Sequence, residues 1–430
     1  MYVGKGVFFI VHDGFAVASE ERAQPGSAGW HMQFSRRTNW NTEHSELASA
    51  HRARVEAGLP IADLTASNPT RCGFSYPADV LKPLNSPRAL DYDPQPRGLL
   101  ESRRAVSAYY TSHSATVAPE QVVLTTSTSE AYSYLFRLLC DPGAEILVSQ
   151  PGYPLFDFLA VLDDVRIKPA PLVYDHGWQI DPEGFRRAIT PATRAIVLVH
   201  PNNPTGHFTK LWEAEELAKL CRAFDLSLIV DEVFLDYGIA AQSPERIASF
   251  AGGLEGVSVF VVSGLSKIAG LPQMKAAWIV ATGPEAHAAL DRLEVIADTF
   301  LSMNAPVQWA LPTWLSNRQA IQGQIRDRVA NNLAELDQQV ASQDTISRLA
   351  FEGGWYAVLR IAALGPDEAT ARALLDRGVW VHPGYFFGMP ESGWLVVSLL
   401  APEREFSVGV THMLDGLREH QVSNSWEGSN

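Results

Sequence analysis

The stretch Val257–Trp278, VSVFVVSGLSKIAGLPQMKAAW, decides how the rest of the chain is read. Val257, Val259, Phe260, Val261 and Val262 are β-branched or aromatic with scarcely a polar break, a pattern that suits a strand buried on both faces. The run stops at Ser263-Gly264, and a lone lysine, Lys267, follows shortly after. A lysine just past the end of a buried strand sits over a crevice with its amine partly desolvated. Burial disfavours the ammonium form and makes the amine a better nucleophile, which is what a Schiff-base lysine needs. On its own a Ser-Lys pair in a loop is ordinarily solvated surface, so its company elsewhere in the chain decides the matter.

Upstream of this stretch, strands and turns alternate. Val122–Thr125 reads as a strand, followed by the hydroxyl-rich turn Thr126–Ser129 and a helix over Glu130–Cys140. Ile146–Ser149 is closed by Pro151-Gly152-Tyr153-Pro154, and Ala195–Val199 by PNNPTG (Pro201–Gly206). After a helix over Thr209–Phe224, the strand Leu226–Val230 is closed by DEVF (Asp231–Phe234); the lysine strand and Ala276–Ala281 follow. This rhythm predicts an α/β fold with a mostly parallel sheet covered by helices. Before it lie a helix over 43–58, a turn at Ser67–Thr70, a proline-rich loop over 76–98 and a helix over Leu99–Tyr110. Past Thr282 the pattern predicts helices over 286–315, 319–343, 367–377 and 402–418, with strands at Trp355–Ile361 and Trp394–Leu399. That is the make-up of a smaller α+β unit. The expected division is a large domain over 76–315 and a small one from 32–75 together with 316–430.

At 430 residues the chain is too long for one small core, and 46% hydrophobic with 19% charged residues is ordinary for a soluble globular protein. A net charge of −14 argues against a nucleic-acid partner, which needs a basic face. Cys72, Cys140 and Cys221 lack metal spacing and read as reduced thiols, so no metal and a cytoplasmic location are expected. In residues 1–31, Lys5 precedes a short apolar run, Val7–Val11, and Ala16-Val17-Ala18 imitates a cleavage site. His12-Asp13 interrupts that run, so the segment is expected to be a disordered leader, or to precede a true start at Met32. No stretch is long and apolar enough for a membrane helix.

Ligands of open α/β sheets bind beyond the carboxyl ends of the strands. The turns there carry Tyr153, Asn203, Asp231 and Lys267. Each alone has a plain reading, as core aromatic, turn former, helix cap or surface amine. Together they supply an aromatic face, an amide, a buried carboxylate and an amine. The helix start at Thr126–Ser129 adds free backbone N–H groups for a phosphate, and Lys275 adds a positive charge. The inventory fits pyridoxal 5'-phosphate. Dinucleotide, P-loop, zincin and nucleophile-elbow motifs are absent from the sequence.

PNNPTG, DEVF and Ser263–Lys275 (SGLSKIAGLPQMK) resemble the motifs of class I/II aminotransferases, the fold-type I pyridoxal-phosphate enzymes; PGYP and YDPQPRG (Tyr92–Gly98) match as well. The resemblance runs from about Leu64 to Leu400. It implies transfer of an amino group from an amino acid to a 2-oxo acid, and a homodimer with shared sites. It implies that Lys267 forms the Schiff base and moves the substrate proton, and that Asp231 keeps the ring nitrogen protonated. Asn203 would bond the phenolic oxygen, Tyr153 and Val233 would flank the ring, and Ser127, Thr128, Ser129 and Ser266 would meet the phosphate. Tyr92 would reach the neighbouring subunit's phosphate.

Departures from the family pattern are equally informative. Lys275 stands where arginine is usual, Gly264 where a phosphate-binding serine is frequent, and Phe234 where a tyrosine normally contacts the phenolic oxygen. Loss of that hydroxyl implies a Schiff base of higher pKa. Val396, in WLVVS, holds the place of the arginine that grips the substrate carboxylate. Arg360, Arg36, Arg37 and Arg71 are the candidate replacements, with Asn68 a further candidate contact. Trp355, Tyr385, Phe386 and Phe387 are available to an apolar substrate side chain. The same residues also suit an amine donor, or a β-elimination (carbon–sulfur) lyase or decarboxylase-like enzyme on the same cofactor. A ligand-binding regulator is disfavoured, because residues 1–60 are too short for a DNA-binding domain and lack a basic helix pair.

Overall fold

In the computed structural model, which describes residues 32, 34–42, 45–239, 245–301, 303–362 and 365–427, the lysine strand lies inside an eight-stranded sheet. The expectation of a disordered leader over 1–31 falls outside the described residues. The strands in chain order begin with β1 (Ala62–Asp63), β2 (Val122–Thr125), β3 (Glu145–Gln150), β4 (Arg166–Tyr174) and β5 (Trp178–Ile180). They continue with β6 (Thr193–Val199), β7 (Ser227–Asp231), β8 (Val259–Gly264) and β9 (Ala277–Thr282). The last five are β10 (Ile346–Arg348), β11 (Tyr356–Ile361), β12 (Val379–Trp380), β13 (His382–Pro383) and β14 (Trp394–Ser398).

The large sheet runs β2-β9-β8-β7-β6-β3-β4-β5. Strands β8, β7, β6, β3 and β4 are parallel, while β9 runs antiparallel between β8 and β2, and β5 antiparallel at the far edge. The carboxyl ends of β2, β3, β6, β7 and β8 therefore share one rim, and the start of β9 meets them there. All six residues of β8 are buried. Val259 and Val261 join the core on one face, Phe260 and Val262 the core on the other, which explains the run of apolar residues without alternation.

Strands β4 and β5 were not anticipated. Pro169 and Pro171 within β4 argue against a strand. Strand β5 pairs only with Leu172–Tyr174, so beside the prolines the outer edge is open and their missing N–H groups matter least. The single helix expected over 286–315 is two, Ala286–Thr299 and Ala305–Ser316. Leu301 takes a left-handed φ of 66°, and Asn304 then caps the second helix by accepting the Val307 N–H.

The second sheet is antiparallel, in the order β10-β11-β14-β13, and helices Gln319–Val340 and Glu403–Glu427 pack on one another beside it. The N-terminal segment joins this unit: β1 pairs with β12, and the Leu64 carbonyl accepts the Ser398 N–H at 2.7 Å. One crossing segment ties the two sheets. Gly354 N–H donates to the Tyr237 carbonyl, Ile239 N–H to that of Glu352, and a Cβ on Gly206 would lie 2.5 Å from the Gly353 carbonyl oxygen. Gly206 also has φ +71°, so the glycine of PNNPTG is required twice over. Among the described residues no helix is long and apolar enough to cross a membrane.

Candidate active site

A cavity of about 360 Å³ opens at the shared rim. Ser127, Thr128, Ser129 and Tyr153 line one side of it, Asn203, Asp231, Val233 and Phe234 the next, and Gly264, Ser266, Lys267 and Lys275 the last. All the cofactor contacts expected from the sequence, except Tyr92, thus meet in one place.

The helix Thr128–Leu139 starts at the rim because Ser127 caps it, its hydroxyl accepting the Glu130 N–H at 3.1 Å. The Glu130 carboxylate turns back to take the Thr126 N–H at 2.6 Å. The N–H groups of Thr128 and Ser129 then have no intrahelical acceptor, and with their two hydroxyls they could receive an anion at the positive end of the helix.

Asp231 ends β7 and is buried. Its carboxylate accepts the Val233 N–H at 3.0 Å and the Tyr132 hydroxyl at 3.1 Å. Burial raises its pKa to about 6, and the two hydrogen bonds and the Lys267 charge keep it from rising further. Tyr132 was not anticipated. It lies four residues beyond Thr128 on the same helix face, and that spacing was the available signal.

Lys267 sits on the short helical turn Leu265–Ile268 directly after β8. Burial lowers its pKa to about 8, against the attraction of Asp231. Its Nζ lies 5.0 Å from the ring centre of Trp355 and 5.8 Å from that of Phe234, and the two rings meet edge to face at 5.3 Å. The backbone of the lysine turn is held by hydroxyls and an amide. Tyr237 donates to the Lys267 carbonyl at 2.6 Å, Gln322 to that of Ile268 at 2.8 Å, and Tyr76 to that of Gly270 at 2.6 Å. Gly264 leaves no room for a side chain: a Cβ there would meet the Ala276 carbonyl oxygen at 2.8 Å and the Ala277 Cβ at 2.9 Å. Lys275 is exposed and left-handed, with φ 51°.

The substrate contacts expected from the sequence are not brought to this cavity. Arg360 donates to the Ser392 carbonyl at 2.7 Å and stacks over Trp394 at 4.4 Å. Arg36 and Arg71 are exposed, and Arg37 pairs with Asp164. Asn68 accepts the N–H and hydroxyl of Thr70. Val396 is fully buried, paired with Val358 on one side and His382 on the other. Tyr92 is 82% exposed. Among the described residues, the cations lining the cavity are Lys267 and Lys275.

Residues 82–405 match the family described as Aminotransferase class I and II. The chain belongs to this family. Its members use pyridoxal phosphate. The chain is 29% identical over 271 residues to the glutamate-pyruvate aminotransferase AlaA of Escherichia coli K12, a match covering 62% of this chain and 66%, just under two thirds, of that enzyme. It is 29% identical over 352 residues to the aspartate/prephenate aminotransferase of Thermus thermophilus, covering 77% and 84% of the two chains. In fold it resembles the alanine aminotransferase of Pyrococcus furiosus, with TM-score 0.79 and 22% identity over 87% of this chain and 96% of that one. The tyrosine aminotransferase of Leishmania infantum gives TM-score 0.76 and 20% identity over 88% and 98%. At these identities the solved structures speak for the fold alone.

Proposed function

We propose that this chain is an aminotransferase that uses pyridoxal 5'-phosphate to move an amino group from an amino donor to a 2-oxo acid. The observation that carries the reading is the pairing of a buried amine, Lys267, with a buried carboxylate, Asp231, in a cavity closed by the anion-binding helix start. The donor set fits the cofactor further. Asn203 lines the cavity, and because its side-chain oxygen is held by no hydrogen bond the amide is free to present its N–H2, a donor, to an oxygen there.

When bound, the cofactor supplies an aldehyde carbon that condenses with amines and a ring that accepts an electron pair. The chain supplies the rest. Lys267, with its pKa near 8, offers a neutral amine close to physiological pH and afterwards carries the proton to and from the substrate carbon. Asp231, fixed by Val233 and Tyr132, would hold a proton on the ring nitrogen. Asn203 would donate its amide N–H to the phenolic oxygen, and Tyr153 and Val233 would flank the ring. Ser127, Thr128, Ser129, Ser266 and Lys275 would hold the phosphate. Phe234 and Trp355 keep water from the lysine amine. The exposed ring of Tyr92 suits a homodimer in which it reaches the partner's site.

Borohydride trapping tests this reading. Protein reconstituted with pyridoxal phosphate, reduced and mapped by mass spectrometry should carry the label on Lys267. The rate at which cofactor-free protein condenses with added pyridoxal phosphate, read by borohydride trapping, should rise with pH around a midpoint near 8, following the neutral amine. Label on another side chain, or a midpoint near the value of an ordinary lysine, sinks the proposal.

A further inference from the structure

A second cavity, of about 290 Å³, adjoins the first. Tyr153 lines both. Phe387 lines the second and lies 6.3 Å from Tyr356, which lines the first. The segments carrying Tyr153 and Phe387 meet beside this boundary, where the Gly152 N–H donates to the Phe387 carbonyl at 2.9 Å. Strands β3 and β4 form the floor, through Val148, Ile167 and Pro169, and the turn Gly384–Phe387 forms the roof.

Tyr153, Phe156, Tyr385, Phe386 and Phe387 put aromatic rings on the walls of this cavity, beside the polar side chains of Ser149 and Gln150. Phe156 stands at 88° to Tyr153, and Tyr385 at 85° to Phe386. Asp157, exposed at the mouth, is the one charged residue among the lining; no lysine or arginine is there. Size and charge together narrow what fits. An apolar cavity of about 150 Å³ already holds a benzene molecule, so this chamber has space for an aryl ring and its methylene. A donor with a second carboxylate would be desolvated beside Asp157 with no cation to meet it, which is unfavourable. A methyl side chain would leave the aromatic walls unfilled.

We propose that this second chamber receives the side chain of the amino donor, and that the preferred donors carry uncharged aromatic side chains. The inference rests on the aminotransferase reading above. In that arrangement the donor nitrogen lies at Lys267 and the side chain passes Tyr153 toward Phe386 and Phe387.

The test has two arms. In the first, loaded enzyme is mixed with phenylalanine, tyrosine, alanine, aspartate, glutamate or lysine, without an acceptor, and the spectral half-reaction is timed. Phenylalanine or tyrosine should exceed alanine and aspartate in second-order rate constant by at least about tenfold. Asp157→Arg, a change at an exposed position, should raise the glutamate-to-phenylalanine ratio by about tenfold. A faster reaction with alanine, aspartate or lysine than with either aromatic donor overturns the proposal, as does a ratio that Asp157→Arg leaves unmoved. The second arm separates this idea from the reaction itself. Saturation-transfer NMR with phenethyl alcohol, an uncharged aryl probe, needs no turnover. Binding that weakens severalfold in Tyr385→Ser supports the chamber even if every donor proves inert, in which case the aminotransferase reading alone falls. An absence of probe binding to the wild-type protein refutes the chamber.

Discussion

Replacing Asp231 by asparagine is expected to stabilise the cofactor-free protein at pH 8 while destroying its activity. The ordinary carboxyl value is 3.8, and burial raises it to about 6 in the folded chain. Ionisation is therefore harder folded than unfolded. The stabilising contribution is complete below the unfolded value, is lost as pH rises through the folded one, and stays lost above it. A shift of about two units at about 1.36 kcal/mol each corresponds to about 3 kcal/mol forfeited above neutrality. Asparagine still accepts from Val233 and Tyr132, but Lys267 then loses its facing charge. The net gain at pH 8 is accordingly smaller, about 1–2 kcal/mol, a stability–activity trade-off of familiar size. Urea denaturation of unloaded wild-type and Asp231→Asn protein at pH 5 and pH 8 measures it, provided the m-value is unchanged. The variant's advantage should be larger at pH 8. A variant less stable than wild type at pH 8, or an equal difference at both pH values, refutes the claim that the ionised carboxylate is held against its solvation preference. In the loaded enzyme kcat/KM should fall by at least about a hundredfold, because an amide does not keep the ring nitrogen protonated.

Glu352 follows the opposite sign. Burial opposes its ionisation, yet His207, Lys210 and the Phe208 N–H outweigh that and hold its pKa at about 2, below the ordinary 4.5. Its contribution is present above 4.5 and lost as pH falls through 2, and since the side chain is 27% exposed, screening reduces it to about 1–2 kcal/mol. Glu352→Gln should cost that much at pH 7 and clearly less at pH 3 by urea denaturation; a cost independent of pH counts against the ion cluster. Gly264→Ser should lose about 1–3 kcal/mol through overpacking against Ala276 and Ala277, with no contribution from backbone strain because φ is −178°. Unchanged stability in that variant means the strand end yields more easily than the contacts imply.

Most of the rim was legible because it sits where buried strands stop. A run such as Val259–Val262 can be buried on both faces only in the middle of a sheet, and the parallel order then sends Tyr153, Asn203, Asp231 and Lys267 to one edge. What escaped depends on distances between elements rather than on position along one. Tyr132 matters only because its helix passes within hydrogen-bond reach of β7. The arginine question shows the limit most clearly. The two strands concerned were both anticipated, and Arg360 does pair with Trp394 across them. Yet pairing fixes a Cα, not a guanidinium. The side chain turns onto the Trp394 ring and the Ser392 carbonyl, contacts that satisfy it away from the cavity. Phe234 carries the same lesson in the other direction. Read alone, it is a tyrosine that has lost a hydroxyl. In the fold it packs edge-on against fully buried Trp355, with the lysine amine near both rings, so the change belongs to a larger apolar wall. That wall favours a neutral amine by excluding water, and it does so with residues that flank the two sheets, Phe234 after β7 and Trp355 before β11. Trp355 reaches Lys267 because Gly206 lets the crossing segment lie against the Asn203 loop and Gly353 lets it lie against Tyr237 and Gly238.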